Sequence, residues 1–389
     1  MPPPLDAAPP LVPRETSLDE LEHALATTLA DATPSTKDEL RRLATYRPPP
    51  AVRHIDFPKN KLAAVLVLLH LNPLGELSVT LTTRSSRLRS HPGETALPGG
   101  RWEEGDGEGG VWTAYREAHE EIGLPLPPRD TVFPSTSTSS CPPDDAPRPP
   151  SHLVHLTTLA PFTSRTLLVV LPVVALLVEP AATATTSYLP RVLVPSPDEV
   201  AAVFHLPLRA FLLRPRPADS PSSAPSSAPS TRPSTRSTPR PRPAPGTESL
   251  THSFADFAWL LERPYRLHSF ASADEGVTPS AVTGLTADIV VRCAMVAESG
   301  SLGVALGGER GSGDEREGEG LREPGFEREA DGQLGWEETI RVALGLEGRV
   351  GLGERVWKEG NGEGGRSRGE EERGEGRDEE RRAAVLARA

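Results

Sequence analysis

The sequence predicts an α/β fold, built as one folded domain with long additions of low complexity. Lys61 to Leu71 is an apolar run rich in Val and Leu, of buried-strand character, and the turn residues Asn72 to Gly75 separate it from a second strand at Glu76 to Thr83. Arg116 to Leu124 closes a helix, predicted over Val111 to Ile122, that stops at Gly123, a residue suited to the left-handed conformation at a helix end. The 389 residues include 43 Pro and 34 Gly, and only 36% are hydrophobic, so much of the chain cannot form regular elements. Length alone would allow two or three domains; composition argues for fewer.

In chain order, residues 1–13 are proline-rich and expected to be extended or disordered. Ser17 to Ala30 has helical spacing, with Ser17 and Glu20 in the capping-box relation. A second short helix is predicted at Thr36 to Tyr46, capped by Ser35 or Thr36 and stopped by Pro48. The hairpin that follows delivers Arg84 to the loop leading into Pro98. On the helix at Val111 to Ile122, Trp112 and Tyr115 are expected to be core contacts. Leu126 to Pro150, rich in Pro, Ser and Thr, is predicted to be disordered or a lid. Strands resume near His152 to Leu159 and Leu167 to Val178. Pro215 to Glu248 lacks periodicity and reads as a disordered insertion. Tyr265 to Phe270 then reads as a strand and Gly284 to Ala297 as an amphipathic helix opening at Thr286. Ser299 to Ala389 has little to bury and is expected to be a disordered tail, with weak helices at Trp336 to Leu346 and Asp378 to Arg388. The resulting partition is an extension with a short helix over 1–33, a folded domain over 34–298 with insertions at 127–150 and 215–248, and a tail over 299–389.

A net charge of -12 disfavours non-specific binding to nucleic acid. Two cysteines, Cys141 and Cys293, make no disulfide framework and point to a reducing compartment. The start carries no basic segment followed by an apolar run, so no secretory signal is expected. The longest apolar run, Leu167 to Val178, falls short of the ~20 residues a bilayer requires, and Pro172 interrupts it; a soluble intracellular protein is expected. His70 and His91 have no partner at ligand spacing and read as structural.

The chemistry concentrates on Leu97 to Leu124. Glu117 and Glu121 are four apart and Glu120 is three from Glu117, so the three carboxylates share one helix face, where like charges repel. A solvated face is the plain reading of such a run. A hard divalent cation is the simplest compensation, because Mg²⁺ takes oxygen ligands and spans carboxylates and substrate phosphates. Just before this helix, Pro98, Gly99 and Gly100 are read as a tight turn whose amides can approach a phosphate.

This stretch resembles the Nudix box, G-x5-E-x7-R-E-U-x-E-E-x-G-U with U aliphatic. Arg116, Glu117, Ala118, His119, Glu120, Glu121, Ile122, Gly123 and Leu124 fit its second half, with Ala118 at the first aliphatic place. The first half departs: Glu108 has the right distance to Arg116 but puts Trp102 at the glycine place, whereas counting from Gly100 puts Asp106 at the acidic one. A short insertion near Gly105 to Gly110 reconciles the two counts. Ahead of the box, Leu81, Thr82, Arg84, Ser85, Arg89, Gly93, Pro98, Gly99 and Gly100 are similar to the coenzyme A diphosphatase pattern L-L-T-x-R-S/A-x3-R-x3-G-x-V-x-F-P-G-G. Thr80, Thr95 and Leu97 depart from it. Ser196 to Leu212 is similar to an acidic segment of the same family that leads to a strand and a short helix, and Phe162 matches its linking Phe.

The resemblance covers Thr36 to Glu298 and implies an α/β/α sandwich with a mixed sheet. It implies Mg²⁺ or Mn²⁺ on Glu117, Glu120 and Glu121, a catalytic set of Glu120, Arg116 and Glu199, and substrate contacts from Arg84, Arg89, Gly99 and Gly100. Arg116 is expected to hold the carboxylates by ion pairing. The implied reaction cleaves coenzyme A or an acyl derivative to 3′,5′-ADP and 4′-phosphopantetheine. Rival readings are a Nudix hydrolase of NADH or ADP-ribose, a silent nucleotide-binding module, and an RNA contact at Arg232 to Arg242. The partner expected is a small molecule, with no nucleic acid and no membrane. A peroxisomal address is implied by the family alone, since Ala387, Arg388 and Ala389 do not form an S-K-L signal.

Overall fold

The computed structural model describes residues 15–49, 57–107, 109–126, 152–178, 193–212, 250–272, 278–299 and 324–345. The disorder expected at 1–13, 127–150 and 215–248, the candidate acid Glu108, the tract at Arg232 to Arg242 and the helix at Asp378 to Arg388 lie outside these residues.

Helix α1 (Leu18–Ala26) opens with the expected capping box, in which Ser17 Oγ accepts from the Glu20 amide and Glu20 answers on the Ser17 amide. Helix α2 (Pro34–Thr45) begins earlier than expected. Its cap is Thr33, whose hydroxyl accepts from the Thr36 amide at 3.1 Å, with Pro34 in the first position, where a missing N–H costs nothing. Strands β1 (Leu62–Leu71) and β2 (Leu77–Arg84) form the predicted hairpin. Its turn is fastened by Asn72 Oδ1, which accepts from the Leu74 and Glu76 amides.

The main sheet has the order β3-β2-β1-β7-β5, where β3 is Thr95–Ala96, β5 His152–Thr158 and β7 Val169–Val178. Strand β4 (Gly99–Arg101) joins β1, β6 (Phe162–Thr163) joins β7, and β8 (Val200–Pro207) joins β2. The sheet is mixed: β1 and β7 run parallel from Leu62 opposite Val169 to His70 opposite Leu177, and the other pairs are antiparallel. Pro172, expected to interrupt the apolar run, sits inside β7, and its carbonyl accepts from the Leu159 amide at 2.9 Å.

Because side chains alternate across a strand, β1 serves two cores. Ala63, Val67 and Leu69 join a cluster with Leu21 and Leu25 of α1, Leu40 and Leu43 of α2, and Ile289 of helix α4 (Gly284–Glu298). Leu62, Ala64, Leu66 and Leu68 join a second cluster with Ala114, Tyr115, Ala118 and Ile122 of helix α3 (Val111–Ile122). Helices on both faces of a mixed sheet make the expected α/β/α sandwich.

Three features differ from the sequence expectations. Helix α4 is buried almost all round rather than amphipathic, because α2, the short helix Leu208–Leu212 and strand β10 (Pro264–Ser272) surround it. Strand β10 belongs to a second sheet with β9 (Leu250–Ala258) and β11 (Val282–Thr283), and β9 went unread because its residues are mostly exposed and lack a period-two apolar face. Residues 324–345, placed in the expected tail, belong to the fold: the Gly325 amide donates to the Leu212 carbonyl, and Phe326 stacks on His252 at 4.2 Å. Helix α5 (Trp336–Leu344) buries Ile340 completely in the same core as α3. Its apolar residues at helical spacing supply the buried face that the surrounding Gly, Glu and Arg lack. Among the described residues no helix is long and apolar enough to cross a membrane.

Candidate active site

Helix α3 runs as predicted, between Gly110 at its start and Gly123 at its end. Both glycines have positive φ, and a side chain on Gly123 would strike the Val194 carbonyl. Trp112 and Tyr115 pack into the core beneath it, as expected.

Arg116 is the hub of the site. Its Nε donates to Asp106 Oδ1 at 2.8 Å, Nη2 to Asp106 Oδ2 at 3.1 Å and to the Arg101 carbonyl at 3.0 Å, and Nη1 to Glu120 Oε2 at 2.9 Å. Glu117 Oε1 also lies 3.1 Å from Nη1. The carboxylates are thus held by ion pairing to this arginine, and the two acids on α3 share one nitrogen. The other end of the hub, Asp106, is 2% exposed and further accepts from Thr113 Oγ1 at 2.9 Å and the Glu103 amide at 3.0 Å. Burial alone would raise its carboxyl, but the bonds from Arg116, Glu103 and Thr113 outweigh it and hold the group below its ordinary value. Asp106, one of the two acids weighed for the first half of the motif, is thus seated on Arg116, and Glu108 lies outside the described residues. The loop between carries the glycine-rich insertion, with positive φ at Gly105, Gly107, Gly109 and Gly110, and is tied by Trp102 Nε1 to the Gly107 carbonyl at 2.9 Å.

Glu121 faces the sheet instead. It is 7% exposed, and burial, then the charge of Glu117, push its carboxyl up to about 8; Glu199 adds to the rise, while Arg84 and the Gly99 amide oppose it. Arg84 Nη1 lies 4.0 Å from Glu121 Oε1, and the Gly99 amide donates to Glu121 Oε2 at 3.4 Å. Burial likewise raises Glu117, with a further contribution from Glu120.

The glycines correct the sequence reading. Gly99 and Gly100 form strand β4, paired with Val65 and Ala64, rather than a turn, and the Gly99 amide is engaged by Glu121. Their smallness has another use: a side-chain carbon on Gly100 would lie 2.3 Å from Glu117 Oε1, and one on Gly99 2.4 Å from the Ala64 carbonyl. Glycine here lets the carboxylate helix close on the sheet.

Glu199 is exposed in a turn before β8; its charge reaches Glu121, and its carbonyl accepts from the Ser85 amide at 2.8 Å. Arg89 is exposed on the loop after β2. Thr113, the buried support of Asp106, was not foreseen, since nothing in the sequence marks a threonine seven residues on as the partner of a loop acid. His70 is buried, as a structural histidine should be, with its ring edge-on to His205 at 5.1 Å.

Asp106, Glu117, Glu120 and Glu121 outnumber Arg116 and Arg84, all donors are oxygens, and the least exposed of the acids on α3 resists ionisation. This donor set fits a hard divalent cation. Among the described residues no three such side chains already close around a point in metal-holding geometry, because Arg116 occupies the space between Glu117 and Glu120.

Strand, glycine pair and carboxylate helix thus come together on a mixed sheet between helices. Residues 60–218 match the family model of the NUDIX domain, and the chain contains that domain. Nudix hydrolase 15, mitochondrial, of Arabidopsis thaliana is 40% identical over 154 residues, 40% of this chain and 42% of that protein. Nudix hydrolase 22, chloroplastic, of the same plant is 36% identical over 188 residues, 46% of this chain and 51% of that protein. Peroxisomal coenzyme A diphosphatase ndx-8 of Caenorhabditis elegans is 48% identical over 62 residues, 16% of this chain and 26% of that protein. The chain spans about half the length of the two plant relatives it matches.

Proposed function

We propose that this chain hydrolyses the pyrophosphate linkage of coenzyme A or its acyl derivatives, giving 3′,5′-ADP and 4′-phosphopantetheine or its acyl form. The observation that carries the reading is the contact of Arg84, from the coenzyme A diphosphatase-like stretch, with Glu121 of the box at 4.0 Å. It joins the substrate signature to the carboxylate site. Similarity to a peroxisomal coenzyme A diphosphatase supports the same substrate, while the two plant relatives support the hydrolase class without naming one.

In this reading Glu117, Glu120 and Glu121 would hold Mg²⁺ or Mn²⁺, which when bound neutralises charge on the phosphoryl oxygens and lowers the pKa of water. Arg116, anchored on Asp106, keeps Glu117 and Glu120 on a common face and limits their repulsion. Arg84 offers its guanidinium to the diphosphate beside Glu121. Glu199, whose charge is felt at Glu121, would take a proton from the attacking water. A peroxisomal location is part of the proposal and rests on the resemblance.

The test is Mg²⁺-dependent hydrolysis of coenzyme A with product identification, run beside NADH and ADP-ribose and beside Glu121→Gln. Release of 3′,5′-ADP that collapses in the variant supports the proposal. Cleavage of NADH or ADP-ribose with coenzyme A untouched overturns the substrate, and no cleavage at all favours a silent nucleotide-binding module.

A further inference from the structure

The loop after β2 holds three arginines within six residues, Arg84, Arg87 and Arg89. Its backbone is closed on itself: the Arg84 amide donates to the Glu94 carbonyl at 2.9 Å, the Gly93 amide to the Arg84 carbonyl at 3.0 Å and the Leu88 amide to the Ser85 carbonyl at 3.1 Å. Ser85 Oγ accepts from the Arg87 amide at 3.3 Å, and Arg84 Nε donates to the Ser90 carbonyl at 3.4 Å. A second seam ties this loop to the turn before β8, where the Ser85 amide meets the Glu199 carbonyl at 2.8 Å. Both loops act on Glu121, Arg84 of one lying 4.0 Å from it and the charge of Glu199 of the other reaching it.

Across that seam Arg87 Nη1 donates to Asp198 Oδ1 at 2.9 Å, with the two side chains 73% and 83% exposed. An ion pair so exposed contributes little to stability, ~0–1 kcal/mol, so a stronger anion can displace the aspartate at little cost to the fold. Arg87 pairs with Asp198, the neighbour of Glu199 whose charge reaches Glu121, while Arg84 itself stands at Glu121. An arginine held ready on a fixed loop, paired with a replaceable carboxylate at the rim of a diphosphate site, suits a second phosphate of the same substrate.

We propose that Arg87 is a specificity-determining residue that exchanges Asp198 for a phosphomonoester dianion on the nucleoside half of the substrate. This rests on the proposed hydrolysis of coenzyme A, whose nucleoside carries a 3′-phosphate. Asp198 then acts as a placeholder: it keeps Arg87 oriented in the free protein and competes with ligands that bring no phosphate of their own.

The test uses the full chain and two probes without divalent metal, adenosine 3′,5′-bisphosphate and 5′-AMP, with affinities read by calorimetry. The parent should prefer the bisphosphate by about tenfold; Arg87→Ala should abolish the preference and leave 5′-AMP unchanged, and Asp198→Asn should strengthen bisphosphate binding several-fold. Unchanged melting temperatures would show that the exposed substitutions act on binding alone. An equal preference in parent and Arg87→Ala, or weaker bisphosphate binding in Asp198→Asn, would overturn the inference, as would a parent that binds neither probe. Hydrolysis separates the two readings. If the parent cleaves coenzyme A and its 3′-dephospho analogue with a KM ratio that Arg87→Ala leaves intact, the role of Arg87 falls and the function stands. If the parent cleaves neither while Arg87 governs the bisphosphate preference, the substrate reading falls and the subsite stands.

Discussion

Arg116 grips Asp106 through two nitrogens, at 2.8 and 3.1 Å, from ten positions further along the chain, and the same guanidinium steadies Glu117 and Glu120 from its other end. The loop and the carboxylate helix are one electrostatic unit. Removing the buried end leaves a half-shielded cation, which is the costly way to break such a pair. Asp106→Ala should therefore destabilise the protein by about 2–3 kcal/mol in urea unfolding, somewhat below the figure for a fully buried pair, because Glu117 and Glu120 still hold Arg116. Glu108→Ala should stay within about 0.5 kcal/mol, since the nitrogens it would need are already taken. The reverse order of effects would assign the anchoring role to Glu108.

Gly100→Ala should separate activity from stability. The new carbon would arrive 2.3 Å from Glu117 Oε1, the mobile end of a side chain, so the carboxylate gives way and the fold survives. A change in stability within about 1 kcal/mol is expected, with hydrolysis reduced about 100-fold by misplacement of Glu117. Equal and large losses in both would show that the strand, not the carboxylate, had moved.

Glu39 of α2 is 5% exposed; burial first, then the charge of Glu298, push its carboxyl up to about 7, against the opposing pull of Arg209 and the hydroxyl of Ser35. The folded chain thus holds a proton there that the unfolded chain releases at lower pH. Its folding contribution is fully present below the ordinary glutamate pKa and is lost as pH rises toward 7. Glu39→Gln should flatten this fall and stabilise the protein at pH 8 by up to about 3 kcal/mol, with little change at pH 4, in denaturant titrations at both pH values. A parent whose stability rises between pH 4.5 and 7, unaffected by the variant, would contradict the assignment.

Ending the chain at Ser299 removes the partly buried Phe326 and the buried Ala330 and Ile340 from their places in the core. By area and cavity arguments the loss is about 5 kcal/mol, comparable with the whole stability of an ordinary domain. The shortened protein should expose hydrophobic dye-binding surface and lose cooperative melting. Ile340→Asp in the full chain should reproduce much of the effect; if both melt like the parent, the segment is dispensable to the fold.

What could be read in the sequence was local. Gly123 ended α3 where a left-handed residue was required, Ser17 and Glu20 formed their box, and the unbroken apolar run of β1 announced a strand covered on both faces. Thr33 was overlooked as a cap, although Pro34 after it marks a helix start. Trp336, Ile340 and Leu344 lie four apart, but their composition-poor surroundings concealed the stripe. In the site, the carboxylates and Arg116 were visible as spacing. The roles of Gly100 and Thr113 were not, because each depends on a neighbour that only the packing of α3 on β4 and the glycine-rich loop brings near.

Helix α5 also sets an order of events in the life of the chain. Thr339 meets Thr163 across 176 residues, and by chain statistics closing a loop of that length costs about 4–5 kcal/mol before any contact repays it. A ribosome will have extruded every carboxylate of the site long before α5 emerges to cover their shared core. Until then the nascent chain has its carboxylate face but not its backing, so the core behind the motif is completed only after the helix Trp336–Leu344 has been synthesised.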